Sequence, residues 1–305
     1  MASVTLAESA KLCQDELVSG VIENVVTVNK AFQVMPFDGI EGNALAYNRE
    51  NVLGDVQVAG VNGAVTAKAA ATFTLVTSAL TTIIGDAEVN GLIQATRSNP
   101  NDQAAIQISS KAKSTGRQYQ DMFINGTGAS DEFDGLINLC AAGQTRTAAT
   151  DGEVFDFPIL DELMDLVVSK DGQVDFFQMP ARTVRAYFAK LRALGGAGIG
   201  ETMSLPDGST VPMYRSVPIF RNDWIPVDQT QGVTTTCTTI FAGCWDDGSR
   251  TNGVAGLTAE NAAGINVVDV GEAEDSDDHI WRVKWYCGLA LFSEKALAMA
   301  PGITN

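Results

Sequence analysis

From Pro100 to Ile124 the chain spells one long helix, and Asn125-Gly126-Thr127-Gly128 ends it abruptly. Pro100 suits a first helical turn, with Ser98 or Asn99 as its cap. Ala105, Ile108, Ala112, Tyr119 and Met122 recur on one face, while Gln103, Gln107, Ser114, Gln118 and Asp121 fall on the other. At a rise of about 1.5 Å per residue the rod is about 36 Å long, which exceeds most globular helices. Such a strut needs an extended surface to lie on. The glycine stop and the apolar return Phe133-Asp134-Gly135-Leu136-Ile137-Asn138-Leu139 predict that the chain doubles back onto the rod's end.

The segments before the rod are poor in bulky groups. Residues 1 to 30 carry a short helical pattern (Leu6, Ala10, Cys13, Leu17) and then a Val-rich stretch. Two arrangements suit this: an arm across a neighbour, or a helix and strand on the chain's own body. From Leu45 to about Thr77 the residues are small and β-branched, with Val56 and Val58 alternating and Asn62-Gly63 between apolar flanks. This is a strong hairpin signal, and it predicts a long two-stranded excursion that must rest on something else to be stable.

After the return comes a polar link, 141 to 150, and then a compact α/β alternation. Ile159, Leu160, Leu163, Leu166 and Val167 give one helical stripe. Val174 to Met179 reads as a buried strand, and Pro180 opens a helix carrying Arg182, Arg185, Lys190 and Arg192. Val211 to Asn222 and Thr234 to Trp245 read as further strands. The clearest strand is Trp281 to Leu291, in which Trp281, Val283, Trp285, Cys287, Leu289 and Leu291 alternate with the residues between them. Ser293 then predicts a cap on a short helix, Glu294 to Ala300, stopped by Pro301-Gly302.

Several classes of function are disfavoured. The formal charge of −17 argues against clamping nucleic acid through phosphates, which takes surplus Lys and Arg. The five cysteines are scattered without a Cys-x-x-Cys pair and His279 is the one histidine, so buried reduced thiols are expected and neither zinc nor a disulfide framework is. Gly195 to Gly200 is rich in glycine but follows a helix, so its amides lack the strand-to-helix geometry of a phosphate cradle. The acidic run Glu272 to Asp278 lacks the alternating ligands and closing acid of a calcium loop and reads as a solvated loop. No nucleophile motif accompanies His279, so no catalytic residue, cofactor site or metal site is assigned. No apolar run is long enough for a bilayer, and Glu8, Lys11, Asp15 and Glu16 interrupt any secretory core.

The order of arm, hairpin, rod, Gly-Thr-Gly turn with a Phe-Asp-Gly-Leu return, α/β domain and final long strand resembles the tailed-bacteriophage major capsid proteins of the Hong Kong 97-type fold. Asp175-Phe176-Phe177-Gln178-Met179-Pro180 before a helix, Ser216-Val217-Pro218-Ile219-Phe220-Arg221 and Ser293-Glu294-Lys295-Ala296-Leu297 are similar to local steps of that family. The resemblance implies an α+β Hong Kong 97-like major capsid fold, with an N-terminal arm (1–34) and an extended β-hairpin loop whose tip is 49–71. A peripheral domain (35–48, 72–150 and 281–305) carries the long spine helix, about 101–124, and an axial α/β domain spans 151–280.

The resemblance further implies a virion protein made and assembled in the host bacterial cytoplasm. It would pair with itself in pentamers and hexamers and enclose double-stranded DNA without binding it specifically. The spine begins too early to leave room for a scaffolding extension, so either scaffolding is a separate protein or the chain is a processed form, and Met1 favours the former. A portal is a further partner, a decoration protein an optional one, and a membrane is not among them. Candidate intersubunit contacts are Arg49, Glu50, Asp55, Val56, Val58 and Lys68 on the loop, and Arg182, Arg185, Lys190 and Arg192 on the basic helix. Lys68 is the one lysine of the loop tip, yet no matching Asn and Glu can be picked for a covalent crosslink, so non-covalent clamping is expected. The alternative is an encapsulin nanocompartment shell, which shares the fold and encloses a cargo enzyme.

Overall fold

The computed structural model describes residues 29–97, 102–129, 131–168, 172–194 and 201–304. The arm pattern before residue 29, the expected helix start at Ser98 to Pro100, Cys13 and the glycine run 195–200 lie outside the described residues. In chain order the first elements are strands β1 (Phe37–Ile40), β2 (Ala44–Val52), β3 (Thr72–Ala79) and β4 (Thr81–Asn90), helices α1 (Gly91–Arg97), α2 (Gln103–Asn125), α3 (Leu136–Leu139) and α4 (Phe157–Val168), and strand β5 (Phe176–Met179). Helix α5 (Ala181–Ala193) and strands β6 (Thr202–Ser204), β7 (Thr210–Tyr214), β8 (Val217–Arg221), β9 (Gln229–Gln231) and β10 (Thr234–Gly243) follow. Strands β11 (Val254–Ala259), β12 (Asn266–Glu272), β13 (Asp278–Leu291) and β14 (Leu297–Ile303) complete the fold.

These strands build two sheets and a ribbon. The first sheet runs β1-β11-β13-β12, with β4 along the other edge of β13. The second runs β14-β10-β5-β8-β7-β6, with β9 on β10, and its β5–β8 pair is parallel. Strands β2 and β3 pair with each other alone. The predicted period-two strand is β13, and its 14 residues make it the longest of the ladders and the backbone of the first sheet. The predicted stripe of α4 is buried at Ile159, Leu160, Leu163 and Val167, and β5 is buried throughout.

Helix α2 is the predicted rod, 23 residues long. Asp102 caps it, its carboxylate accepting from the amides of Ala104 at 3.0 Å and Ala105 at 3.3 Å, so the observed start is a few residues later than expected. The buried face differs from the predicted one, since Ala105 is exposed and Ile108 and Ala112 are half-buried. Burial concentrates in the last two turns, where Tyr119, Met122, Phe123 and Ile124 pack on Ile83, Cys287, Leu289 and Leu291. The aromatic rings of Tyr119 and Trp285 lie 4.5 Å apart there. The rod is thus rooted at one end and leaves much of the other to solvent.

The glycine turn is dictated by contact between backbones. Gly126 and Gly135 face each other, with the Gly135 amide donating to the Gly126 carbonyl at 2.9 Å. A Cβ on Gly126 would lie 2.6 Å from the Met122 carbonyl oxygen and overlap that of Phe133, and one on Gly135 would lie 2.6 Å from the Ile124 oxygen. No side chain fits at either position.

Three expectations are corrected. The final segment is not a helix from Glu294 to Ala300: Ser293 caps a single 3-10 turn, Glu294–Ala296, and residues Leu297–Ile303 are strand β14. The alanines there favour helix locally, but Leu297, Ala298, Ala300 and Ile303 are buried against β10 and α4, and this packing overrides propensity. Pro301 is tolerated because β14 ends the sheet. Val211 to Asn222 is a tight hairpin instead of one strand, turning at Arg215 and Ser216 with φ of 47° and 67°. Finally, residues 254–272, expected in the α/β half, form β11 and β12 on the sheet of β13, while β14 joins the other sheet. The chain therefore passes between the sheets three times, through the helical stretch 91–175 and the short links 244–253 and 292–296.

Candidate assembly surfaces

The ribbon of β2 and β3 is held to the body at its base. Tyr47 donates its hydroxyl to the Leu291 carbonyl at 2.7 Å and meets the Phe292 ring edge-on at 5.2 Å. Arg49 is 15% exposed and donates to the carbonyls of Phe292 at 3.1 Å and Leu291 at 2.7 Å, while pairing with Glu294 at 2.5 Å. A guanidinium can hold three acceptors at once because its donors form a rigid fork. Arg49, expected as an intersubunit contact, thus clamps the ribbon within its own chain.

Beyond Arg49 the ribbon is bare. Val52, Leu53, Phe73 and Leu75 are all more than half exposed, and Val56, Val58 and Val61 are 89%, 103% and 98% exposed. An isolated exposed apolar residue needs no explanation, whereas a run of them on a projecting ribbon marks a surface that is covered elsewhere. Glu50, Asp55 and Lys68 are exposed on the same projection, so the structure brings the expected loop residues together.

The predicted hairpin is real but its ladder stops early, at Val52 and Thr72. Between them one side chain substitutes for the ladder. Gln57 accepts through Oε1 from the Thr66 amide at 2.7 Å, the Thr66 hydroxyl at 2.7 Å and the Ala67 amide at 2.8 Å, and its Nε2 donates to the Ala64 carbonyl at 2.8 Å. Asn62 turns the tip with φ of 67°, helped by the Gly63 amide on the Gly60 carbonyl. Gln57→Leu removes these bonds from an exposed tip without touching either core. We expect unfolding within about 0.5 kcal/mol of the parent but faster cleavage within residues 57–67, read by limited proteolysis.

The basic helix α5 is split in its roles. Arg182 is not free: it donates to the carbonyls of Thr236 and Ile303, tying α5 to β10 and β14. Lys190 pairs with Asp156 at 3.3 Å. These two, expected as intersubunit contacts, are bonded within the chain. Arg185 and Arg192 are exposed and make no ion pair among the described residues.

The remaining titratable groups serve the fold. Burial pushes the thiols of Cys244 and Cys287 up to about 12 and that of Cys140 to about 11, so they are not nucleophiles at neutral pH. Cys237 is buried and free as well. The Arg282 guanidinium, bonded to both oxygens of Asp86 at 2.7 and 2.8 Å, holds that carboxyl below its ordinary range. His279 bonds Asp269 at 2.6 Å beside the Trp281 ring, and the acidic run forms the turn of the β12–β13 hairpin. Among the described residues no group of metal-ligating side chains occurs, and no helix is long and apolar enough to cross a membrane.

A two-sheet body, a projecting ribbon and a long rod closed by a glycine crossing define the Hong Kong 97-like capsid fold, and solved structures share it over the whole chain. The holo-SrpI encapsulin complex from Synechococcus elongatus superposes with a TM-score of 0.74 at 19% identity, covering 99% of this chain and 96% of that one. The capsid of a native GTA particle does so with a TM-score of 0.67 at 12% identity over 100% of both chains. The capsid of Myoviridae phage XM1 has a TM-score of 0.67 at 12% identity, covering 99% of this chain and 100% of that one. The sequence matches no protein-family profile and no curated protein.

Proposed function

We propose that the chain is the major capsid subunit of a tailed phage, assembling through pentamers and hexamers into an icosahedral shell around packaged double-stranded DNA. The observation that carries this is the ribbon: apolar, projecting and clamped only at its base, it has no use in a solitary molecule. In the shell it lies over the adjacent subunit, contacting it through Glu50, Asp55, Val56, Val58 and Lys68, and the rod carries load between ribbon and body. The sheet of β13 with α2 acts as the peripheral domain, and the sheet of β10 with α4 and α5 as the axial domain at the capsomer centre. Arg185 and Arg192 face an acidic edge of the next copy. The net charge of −17 suits a lining that repels phosphate and leaves the duplex free to slide. A separate scaffolding protein and a portal are its partners during assembly, and a decoration protein is an optional one. The subunit has no catalytic role, in keeping with neighbours that are structural shells.

A second reading, an encapsulin shell enclosing a protein cargo, is favoured by one observation: the encapsulin superposes with the higher TM-score and identity of the three structures described. Electron microscopy of particles purified from the native source, with their contents analysed, separates the two. Nuclease-protected DNA supports the phage shell and a stoichiometric enzyme supports the encapsulin. A 32.2 kDa monomer with no particles at any concentration removes both.

A further inference from the structure

Between the rod and the α/β half lies a cavity of about 590 Å³, unrelated to the ribbon. Its wall includes the turn Asn29–Lys30, Arg117 on α2, and Arg221, Asp223 and Trp224 at the end of β8. Three of these side chains are cationic and one is acidic, an inversion of the balance in a chain whose formal charge is −17. Arg221 and Asp223 neutralise each other, with Nε to Oδ1 at 2.9 Å and a second bond between the same two groups. The surplus is Lys30 and Arg117. Neither makes an ion pair among the described residues, and Arg117 rests its guanidinium on the Trp224 ring at 5.2 Å. The carboxylate whose charge Lys30 feels is Asp207, and that group is taken by Gln33 at 3.0 Å and by Ser209.

A second observation points to a ligand. Asn29 is 8% exposed, and its Oδ1 accepts from the Ala31 amide at 3.1 Å, but its Nδ2 is a buried donor with no acceptor among the described residues. A buried amide donor left unmade costs about 1–3 kcal/mol, so native folds rarely keep one without a reason. Two unpaired cations and an unpaired donor at one cavity share a single deficiency, which is negatively charged oxygen. The volume is that of a small-molecule site and is far too small for a nucleic-acid duplex.

We propose that this cavity binds a small multivalent oxyanion of the phosphate class, held by Lys30, Arg117 and the Nδ2 of Asn29. Charge-assisted bonds from Lys and Arg to such an anion are stronger than neutral ones, and Arg117 already lies stacked against an aromatic wall that limits its motion. Bound there, the anion bridges the rod to the half of the molecule built on β8, and it stiffens the junction between the two sheets. The inference stands apart from the shell reading and holds for any role of the fold.

Thermal unfolding of the full chain with inorganic phosphate, at ionic strength held constant with sodium chloride, tests it. The parent should show a saturable rise of about 5 °C or more at a hundredfold excess over Kd. Arg117→Gln and Asn29→Asp should each abolish the rise; the second keeps the Oδ1 that caps Ala31 and adds a negative charge. Arg192→Gln, remote from the cavity, should keep it. An adenosine monophosphate arm distinguishes a phosphomonoester from the free ion by which of the two saturates at lower concentration. The proposal is overturned by a rise that never saturates, by one equal in the parent and both cavity variants, or by a short DNA duplex bound by the parent and lost in those same variants.

Discussion

On the shell function proposed above, removal of residues 55–65 should leave a subunit that folds and cannot close a shell. Every bond of that segment stays within the ribbon: Gln57 holds residues 64, 66 and 67, and the Asp55 amide donates to the Ala69 carbonyl at 2.9 Å. No residue of it belongs to a core cluster. Its loss therefore subtracts no core burial, and the unfolding free energy should stay within about 0.5 kcal/mol of the parent. Assembly should fall below detection by electron microscopy, because the exposed valines are the area a neighbour would cover. Normal particles from the deletion would refute the assignment of the ribbon; a chain that no longer folds would show that the tip serves its own subunit.

The second large effect lies at the glycine crossing. Gly126→Ala and Gly135→Ala each force a methyl group into backbone that cannot yield, and each should cost about 3 kcal/mol, at the upper end for overpacking. This lowers the melting temperature by roughly 6–12 °C for a chain of this size. The double variant should cost much less than the sum, since separating the crossing once relieves both clashes. Full additivity in chemical denaturation would mean that the two glycines do not press on each other.

Much of this architecture could be read from residues alone, and the parts that could be read share a cause. The β13 alternation, the α4 stripe and the Asn62-Gly63 turn are local patterns whose periodicity or turn chemistry is sufficient. Strand β14 was illegible because its pairing with β10 is distant and its alanines locally favour a helix. The Arg215-Ser216 turn carries neither glycine nor asparagine, so nothing announced its positive φ. The cap at Asp102 competed with Ser98, Asn99 and Asn101 in the same stretch. Of the expected contact residues, Glu50, Asp55, Val56, Val58 and Lys68 lie exposed together on the ribbon, whereas Arg49 and Arg182 bind carbonyls of residues far away in sequence, which no motif records. Gln57 could have been found: it is a long side chain, donor and acceptor at once, in a stretch made mainly of Val, Ala and Gly.

Arg49 grips the carbonyls of Leu291 and Phe292, and the next four residues belong to one of the two short links among the three that carry the chain from one sheet to the other. A pull on the ribbon is therefore delivered to the splice between the halves of the molecule before it reaches either hydrophobic centre. The ribbon's anchor and the hinge-like link between the two sheets are thus one and the same stretch of backbone.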